Sequence, residues 1–86
     1  MICLNSGDLG EILYMGMGHV NGHRVCMSVA YKLDYCIKKA IQFEVASKGA
    51  VIFDKINKVK IGSLEPFESI QRDEIQGEID LIFLSL

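Results

Sequence analysis

The 86-residue chain predicts a single α+β domain of two layers, a mixed sheet of about four strands backed by one long helix. Three observations carry that expectation. A chain of this length supports one hydrophobic core and no second domain. Half of its residues are hydrophobic, 23% are charged and one is proline, the balance of a folded globular chain. The apolar period also changes along the chain, from a short run to a four-residue recurrence and then to alternation.

The elements follow in order. Met1–Gly10 reads as short and turn-like, with Asn5-Ser6-Gly7-Asp8 as its breaker. Glu11–Met17 reads as a strand, an apolar run through Ile12, Leu13 and Tyr14 that closes in glycine. From His19 or Asn21 to Lys39 the spacing predicts an amphipathic helix. Val25, Val29, Leu33 and Ile37 recur every fourth residue, and Cys26, Ala30, Cys36 and Ala40 widen the stripe. Arg24, Ser28, Lys32, Tyr35 and Lys39 then form a basic outer face. Ile41, Phe43 and Val45 alternate with Gln42, Glu44 and Ala46 as in a strand, the alternative being a helix that continues to a cap at Gly49. Ser47-Lys48-Gly49 makes a turn, and Ala50–Phe53 opens an antiparallel partner that runs on as extended chain. Ile56, Val59 and Ile61 face inward there, with Lys55, Lys58 and Lys60 outward or near-outward. Pro66 interrupts, the acidic segment from Leu64 to Glu78 makes a loop or short helix, and Glu78–Leu86 closes as a strand. Its Leu81-Ile82-Phe83-Leu84 run suits burial on both faces.

Composition narrows the function classes. Cys3, Cys26 and Cys36 are an odd set without a C-x-x-C pair, which fits a reducing compartment. No run reaches the ~20 apolar residues of a membrane span, and Met1–Glu11 lacks the basic start and long apolar stretch of a signal peptide. An intracellular protein with no membrane partner is expected. The net charge of −2 is unevenly spread: eight Lys/Arg face five acids through Ser63, whereas Arg72 alone faces six acids beyond it. A basic surface can therefore coexist with an acidic total. The apolar surplus points to further burial against a partner.

Four constellations carry possible chemistry. Gly16-x-Gly18 with Gly22 sits where an expected strand meets an expected helix, the place where backbone N–H groups meet phosphate. The third glycine is one residue late for a dinucleotide fingerprint, although Glu44 imitates its ribose-binding acid. His19-x-x-x-His23-x-x-Cys26 would put two imidazoles and a thiol on one helical face for zinc, with Cys3 as a fourth ligand, but matches no recognised zinc spacing. Cys26 and Cys36 fall inside the helical pattern, where core packing suits them better than nucleophilic catalysis. No active site, cofactor or metal is expected. The basic residues Arg24, Lys32, Lys38, Lys39, Lys48, Lys55, Lys58 and Lys60 remain, with His19, His23 and Arg24 beside the glycines. Phosphate contact at that end is the most economical reading.

Glu11–Leu33 resembles the second strand, G-x-G turn and second helix of the Alba superfamily of nucleic-acid-binding proteins. Ile41–Ile56 and Ile75–Leu86 are similar to the later strands of the smaller Alba-type subunit of eukaryotic ribonuclease P and ribonuclease MRP. The likeness covers about residues 9 to 86 and omits the family's first strand and helix, so the chain is expected to be abbreviated or completed by a partner. His19 stands where the family has Arg or Lys. The resemblance implies a single Alba-like domain and a non-catalytic, RNA-binding subunit of a nuclear or nucleolar ribonucleoprotein. It would be paired with a second Alba-type subunit or with itself. Carried over, Gly16, Gly18, His19 and Asn21 form the phosphate-binding turn, and His23 and Arg24 open the helix. Lys32 and Lys39 join them from the basic face, without family support. The competing expectation is an interaction module that binds only protein.

Overall fold

A computed structural model describes residues 12–63 and 65–86. The turn expected over Met1–Gly10 and the thiol of Cys3 lie outside the described residues. Strands β1 (Ile12–Val20), β2 (His23–Ala30), β3 (Ile52–Lys60) and β4 (Pro66–Gln71) form one sheet in the order β2-β1-β3-β4. Helix α1 (Leu33–Ala46) connects β2 to β3, and a 3-10 turn (Arg72–Ile75) leads from β4 into helix α2 (Gln76–Leu84). The class is α+β as expected, but every strand pair is antiparallel, so the sheet is not mixed.

The expected helix from Asn21 onward is instead a β-hairpin. Asn21 and Gly22 both hold positive φ, 51° and 82°, as a type I′ turn requires and as Asn-Gly supplies with little strain. Val20 therefore pairs with His23, and the chain returns as β2. A bulge explains why β2 imitates a helix. Met17 pairs with Cys26 and Gly16 with Ser28, which leaves Met27 as an extra residue. Val25, Ser28 and Ala30 consequently share the core side, and the period of two is broken in the middle of the strand.

Helix α1 takes the alternative course, through the expected strand at Ile41–Ala46 and out at Ser47. The N–H of Gly49, at φ 83°, reaches the carbonyl of Glu44 at 3.1 Å and ends it. Cys36, Ile37, Ala40 and Ile41 are buried at helical spacing, while Phe43 and Val45 of the apparent alternation are exposed. The last segment is likewise a helix, because Ile75, Ile79 and Ile82 face the core at four- and three-residue intervals. Leu81 and Leu84 are 67% and 83% exposed, so the expected two-sided burial does not occur. The sequence did carry a start signal. The Glu74 carboxylate accepts the Gln71 N–H at 3.0 Å, and together they make a capping box. Part of the acidic segment, expected as a loop or short helix, forms the edge strand β4.

Both helices pack on one face of the sheet, where Phe53, Ile56, Ile37, Ile41 and Ile79 are at most 1% exposed. Each such side chain contributes about 1.5–3 kcal/mol relative to exposure. An ion pair ties the layers together. Arg72 donates to both carboxylate oxygens of Glu44 at 2.7 and 3.2 Å and to the Phe53 carbonyl at 2.9 Å. Glu44 also accepts the Phe53 N–H at 2.9 Å. Burial pushes the Glu44 carboxyl up, but the Arg72 and Phe53 hydrogen bonds and the Arg72 charge outweigh it, leaving the group below its ordinary value.

Candidate functional site

Gly16 and Gly18 are not in a turn; they lie within β1 with their α-carbons toward the helices. A β-carbon on Gly16 would meet Ser28 Oγ and Ala40, and one on Gly18 would meet the Ile52 carbonyl and the Met27 sulfur. Their absent side chains let α1 and β3 approach closely, which is a packing role. The strand-to-helix phosphate turn expected of Gly16, Gly18, His19 and Asn21 is therefore not formed. His23 and Arg24 open a strand rather than a helix, and Lys32 precedes α1 as its cap residue.

The hairpin brings a different set together on the outer face of the sheet, opposite the helices. Residues paired directly across antiparallel strands share a face. Gly16, paired with Ser28 and Ile56, fixes the inner side, so His19, Met17, Met15 and Leu13 of β1 point outward. Across the sheet, Arg24 lies beside His19. The next row runs Cys26, Met17, Lys55, Gln71, and the one after it Val29, Met15, Asn57, Ser69. Leu13 and Val59 end the face, so Val59 lies outward and Lys58, paired with Tyr14, inward, the reverse of what alternation along this segment suggested. A methionine and valine strip on β1 and β2 is thus bordered by Arg24 at one corner and by Lys55, Asn57, Ser69 and Gln71 along β3 and β4.

A second bulge shapes the corner beside Arg24. Met17 pairs with Lys55 but Gly18 with Phe53, so Asp54 is extra and its side chain turns to His19. His19 Nδ1 and Asp54 Oδ2 are 2.7 Å apart, with both side chains nearly half exposed. An ionised carboxylate only accepts, so the Nδ1–H of His19 is the donor in this contact. Asp54 is the single acid on the outer face among the described residues, and this bond occupies it. The other described acids lie on α1, β4, the 3-10 turn and α2 or the connections beside them. Among the described residues Arg24 and Lys55 make no ion pair. Ser69 donates to Asn57 Oδ1 at 2.7 Å, which leaves the Asn57 amide N–H groups available to a ligand.

The eight residues expected to meet RNA therefore divide. His19 and Arg24 are cross-strand neighbours on the outer face. Gly16 and Gly18 are structural, and Asn21 shapes the hairpin turn. His23 sits at the tip, paired with Val20. Lys32 caps the start of α1 and Lys39 lies on it, and the Lys39 ammonium sits 5.3 Å above the Tyr35 ring. The pattern did not single out Asp54, Asn57, Ser69 or Gln71, and it gave Lys55 only as one of the basic residues. The Asn21-Gly22 turn was the signal that would have found them, because it fixes which alternate residues share a face.

The other candidate chemistries do not assemble. His19, His23 and Cys26 do not converge, and the described residues hold no group of three or more His, Cys, Asp or Glu side chains fit for a metal. Glu44 is engaged by Arg72 instead of facing a dinucleotide cleft. Cys36 is buried, and its Sγ lies 3.3 Å from Ser28 Oγ. Burial pushes its thiol up, the Ser28 and Gly16 hydrogen bonds offsetting only part, so it is a poor nucleophile. Cys26 is exposed on the outer face. No described helix is long and apolar enough to cross a membrane.

With this geometry in view, the chain was compared with family models, curated proteins and solved structures, and none of them matches it.

Proposed function

We propose that the chain is a non-catalytic RNA-binding subunit of an intracellular ribonucleoprotein, and that it lays a nucleic-acid strand across the outer face of the sheet. The observation that carries this reading is the charge segregation of the sheet. Among the described residues the outer face presents two cations outside any ion pair, Arg24 and Lys55, and the hydrogen-bonding groups of Asn57, Ser69 and Gln71, while its one acid is held by His19. The cations suit phosphates, and Asn57, Ser69 and Gln71 suit base edges and riboses. Met15, Met17 and Val29 offer an apolar floor on which bases can lie. The glycine-turn contact implied by the Alba resemblance has no counterpart here, since Gly16 and Gly18 lie inside β1; the proposed contact is on the sheet.

Phosphate contact makes the affinity salt-dependent. Losing both cations should flatten the dependence of log affinity on log salt by roughly 0.7 per charge on a single strand. We expect Arg24→Glu with Lys55→Glu to weaken binding of a short single-stranded RNA at low salt, while Lys32→Glu with Lys39→Glu leaves it unchanged. Fluorescence anisotropy of both double variants reads this directly. Equal affinity of wild type and the Arg24/Lys55 variant would reject the site, and absence of RNA and DNA binding by the wild-type protein would leave the protein-only module.

A further inference from the structure

The outer face also gathers sulfur, independently of its cations and amides. Met17 of β1 pairs directly with Cys26 of β2, and Met15 stands two residues along β1 on the same side. Directly paired residues carry their β-carbons about 4.5–5.5 Å apart, and two residues along a strand span about 6.7 Å. Unbranched thioether side chains adapt their shape across gaps of that size. The thiol stands between them. Cys26 Sγ lies 3.5 Å from the Ser28 carbonyl, and Ser28 pairs with Gly16, the residue that separates Met15 from Met17. Cys26 is exposed and both methionines are partly exposed, so the cluster is open to solvent.

The donor set decides which ion fits. A thiolate with two thioethers is a soft set of the kind that takes Cu(I), whereas magnesium and calcium take oxygen. Zinc also takes thiolate, but completes its shell with Cys, His or carboxylate, and the described residues hold no such cluster. His19 does not join the sulfurs, because its Nδ1 is bound to Asp54 of β3, across β1 from Cys26. The surrounding charge agrees. Arg24 precedes Cys26 by two residues on the same face, and Lys55 pairs with Met17. Neighbouring cations favour a thiolate, and they repel a divalent ion twice as strongly as a monovalent one.

We propose that Met15, Met17 and Cys26 form a three-sulfur site for one Cu(I) ion on the outer face of the sheet. Cys26 releases its thiol proton to solvent as the metal–sulfur bond forms. The two thioethers donate lone pairs, and the ion stays Cu(I) throughout. One thiolate against one monovalent cation leaves the loaded site neutral.

Ag(I), equally soft and singly charged, is the first probe, added to full-length protein labelled with ¹³C in its methionine methyl groups. The Met15 and Met17 methyls should shift together and saturate at one ion per chain, while Met27, buried in the core, stays in place. Transfer of Cu(I) from its bathocuproine disulfonate complex then reads the affinity. Losing only a supporting partner costs a metal site about 10–100-fold in affinity, and Met15→Leu with Met17→Leu, which removes two direct ligands, should cost at least as much. Leucine keeps the volume of methionine, so the circular-dichroism spectrum and the alkylation rate of Cys26 should not change. Cys26→Ser, at an exposed position, should abolish transfer, and Met27→Leu should transfer as wild type does. If Cys26→Ser fails to fold, the methionine pair decides alone. Three results would each overturn the proposal: unmoved Met15 and Met17 methyls at saturating Ag(I), wild-type transfer by a folded Cys26→Ser, or wild-type transfer by the methionine double variant, which would leave a bare thiol only.

Discussion

The two faces of the sheet are made by alternate residues of the same strands and obey opposite rules. On the inner face packing is close. Gly16 and Gly18 cannot accept a β-carbon, Ser28 turns its hydroxyl to the Cys36 carbonyl at 2.8 Å, and Phe53 is fully buried. On the outer face, Arg24, Cys26, Ser69 and Gln71 are exposed and polar groups keep free hydrogen-bonding capacity. Packing determines the first set of residues and leaves the second unconstrained. An accumulation of cations and amides on the second therefore points to a ligand, whereas conspicuous glycines on the first point to close packing.

Substitutions that spare one face and strike the other should separate these roles. Phe53→Ala, removing the largest fully buried side chain, should cost about 3–5 kcal/mol in urea unfolding, much of the stability of so small a domain. Arg72→Met leaves the Glu44 carboxylate without its partner. Because Arg72 is 29% exposed and Glu44 13%, the loss should fall below that of a fully buried pair, about 2 kcal/mol. Gly18→Ala should cost about 1–3 kcal/mol, because its β-carbon meets the backbone carbonyl of Ile52, which cannot swing aside.

The Glu44 pair also sets a pH dependence. Its folded pKa lies below the unfolded value, so the unfolded chain binds the proton first as pH falls. The stabilisation is complete above the ordinary glutamate range, near pH ~4.3, and is lost as pH drops through the lower folded value. Thermal unfolding of wild type and Glu44→Gln between about pH 2 and 7 should show their difference shrinking toward acid. A constant difference would place the effect outside this carboxylate. At the small end, Lys55→Gln should change stability by no more than about 0.5 kcal/mol while weakening RNA binding.

How much of this was readable beforehand depends on which residues carried the pattern. The core was legible, since Ile37, Ala40 and Cys36 kept the burial their spacing suggested. The α+β class and a four-stranded sheet behind a long helix followed from the same signals. The borders were misread where two periods overlap. Val25, Val29 and Leu33 span a bulged strand, a turn and a helix start, yet share a spacing of four. Phe43 and Val45 alternate with polar residues on the exposed side of a helix, so their apparent strand pattern reflects no burial. The outer-face set was hidden because it exists only through strand register. Lys55 and Gln71, for example, become neighbours by pairing across β3 and β4. Asn21-Gly22 was the strongest local signal for that register, and its weight was lost to the glycines before it.

The difference between the faces is tested most directly by a titration of ¹⁵N-labelled protein with a short single-stranded RNA, read residue by residue. Amide shifts should concentrate at Met17, His19, Arg24, Lys55, Asn57, Ser69 and Gln71, leaving Lys39 and the α2 residues unmoved. Shifts confined to the α1 and α2 surface, or none on the outer strand positions at saturating RNA, would contradict the assignment of the outer face as the nucleic-acid site.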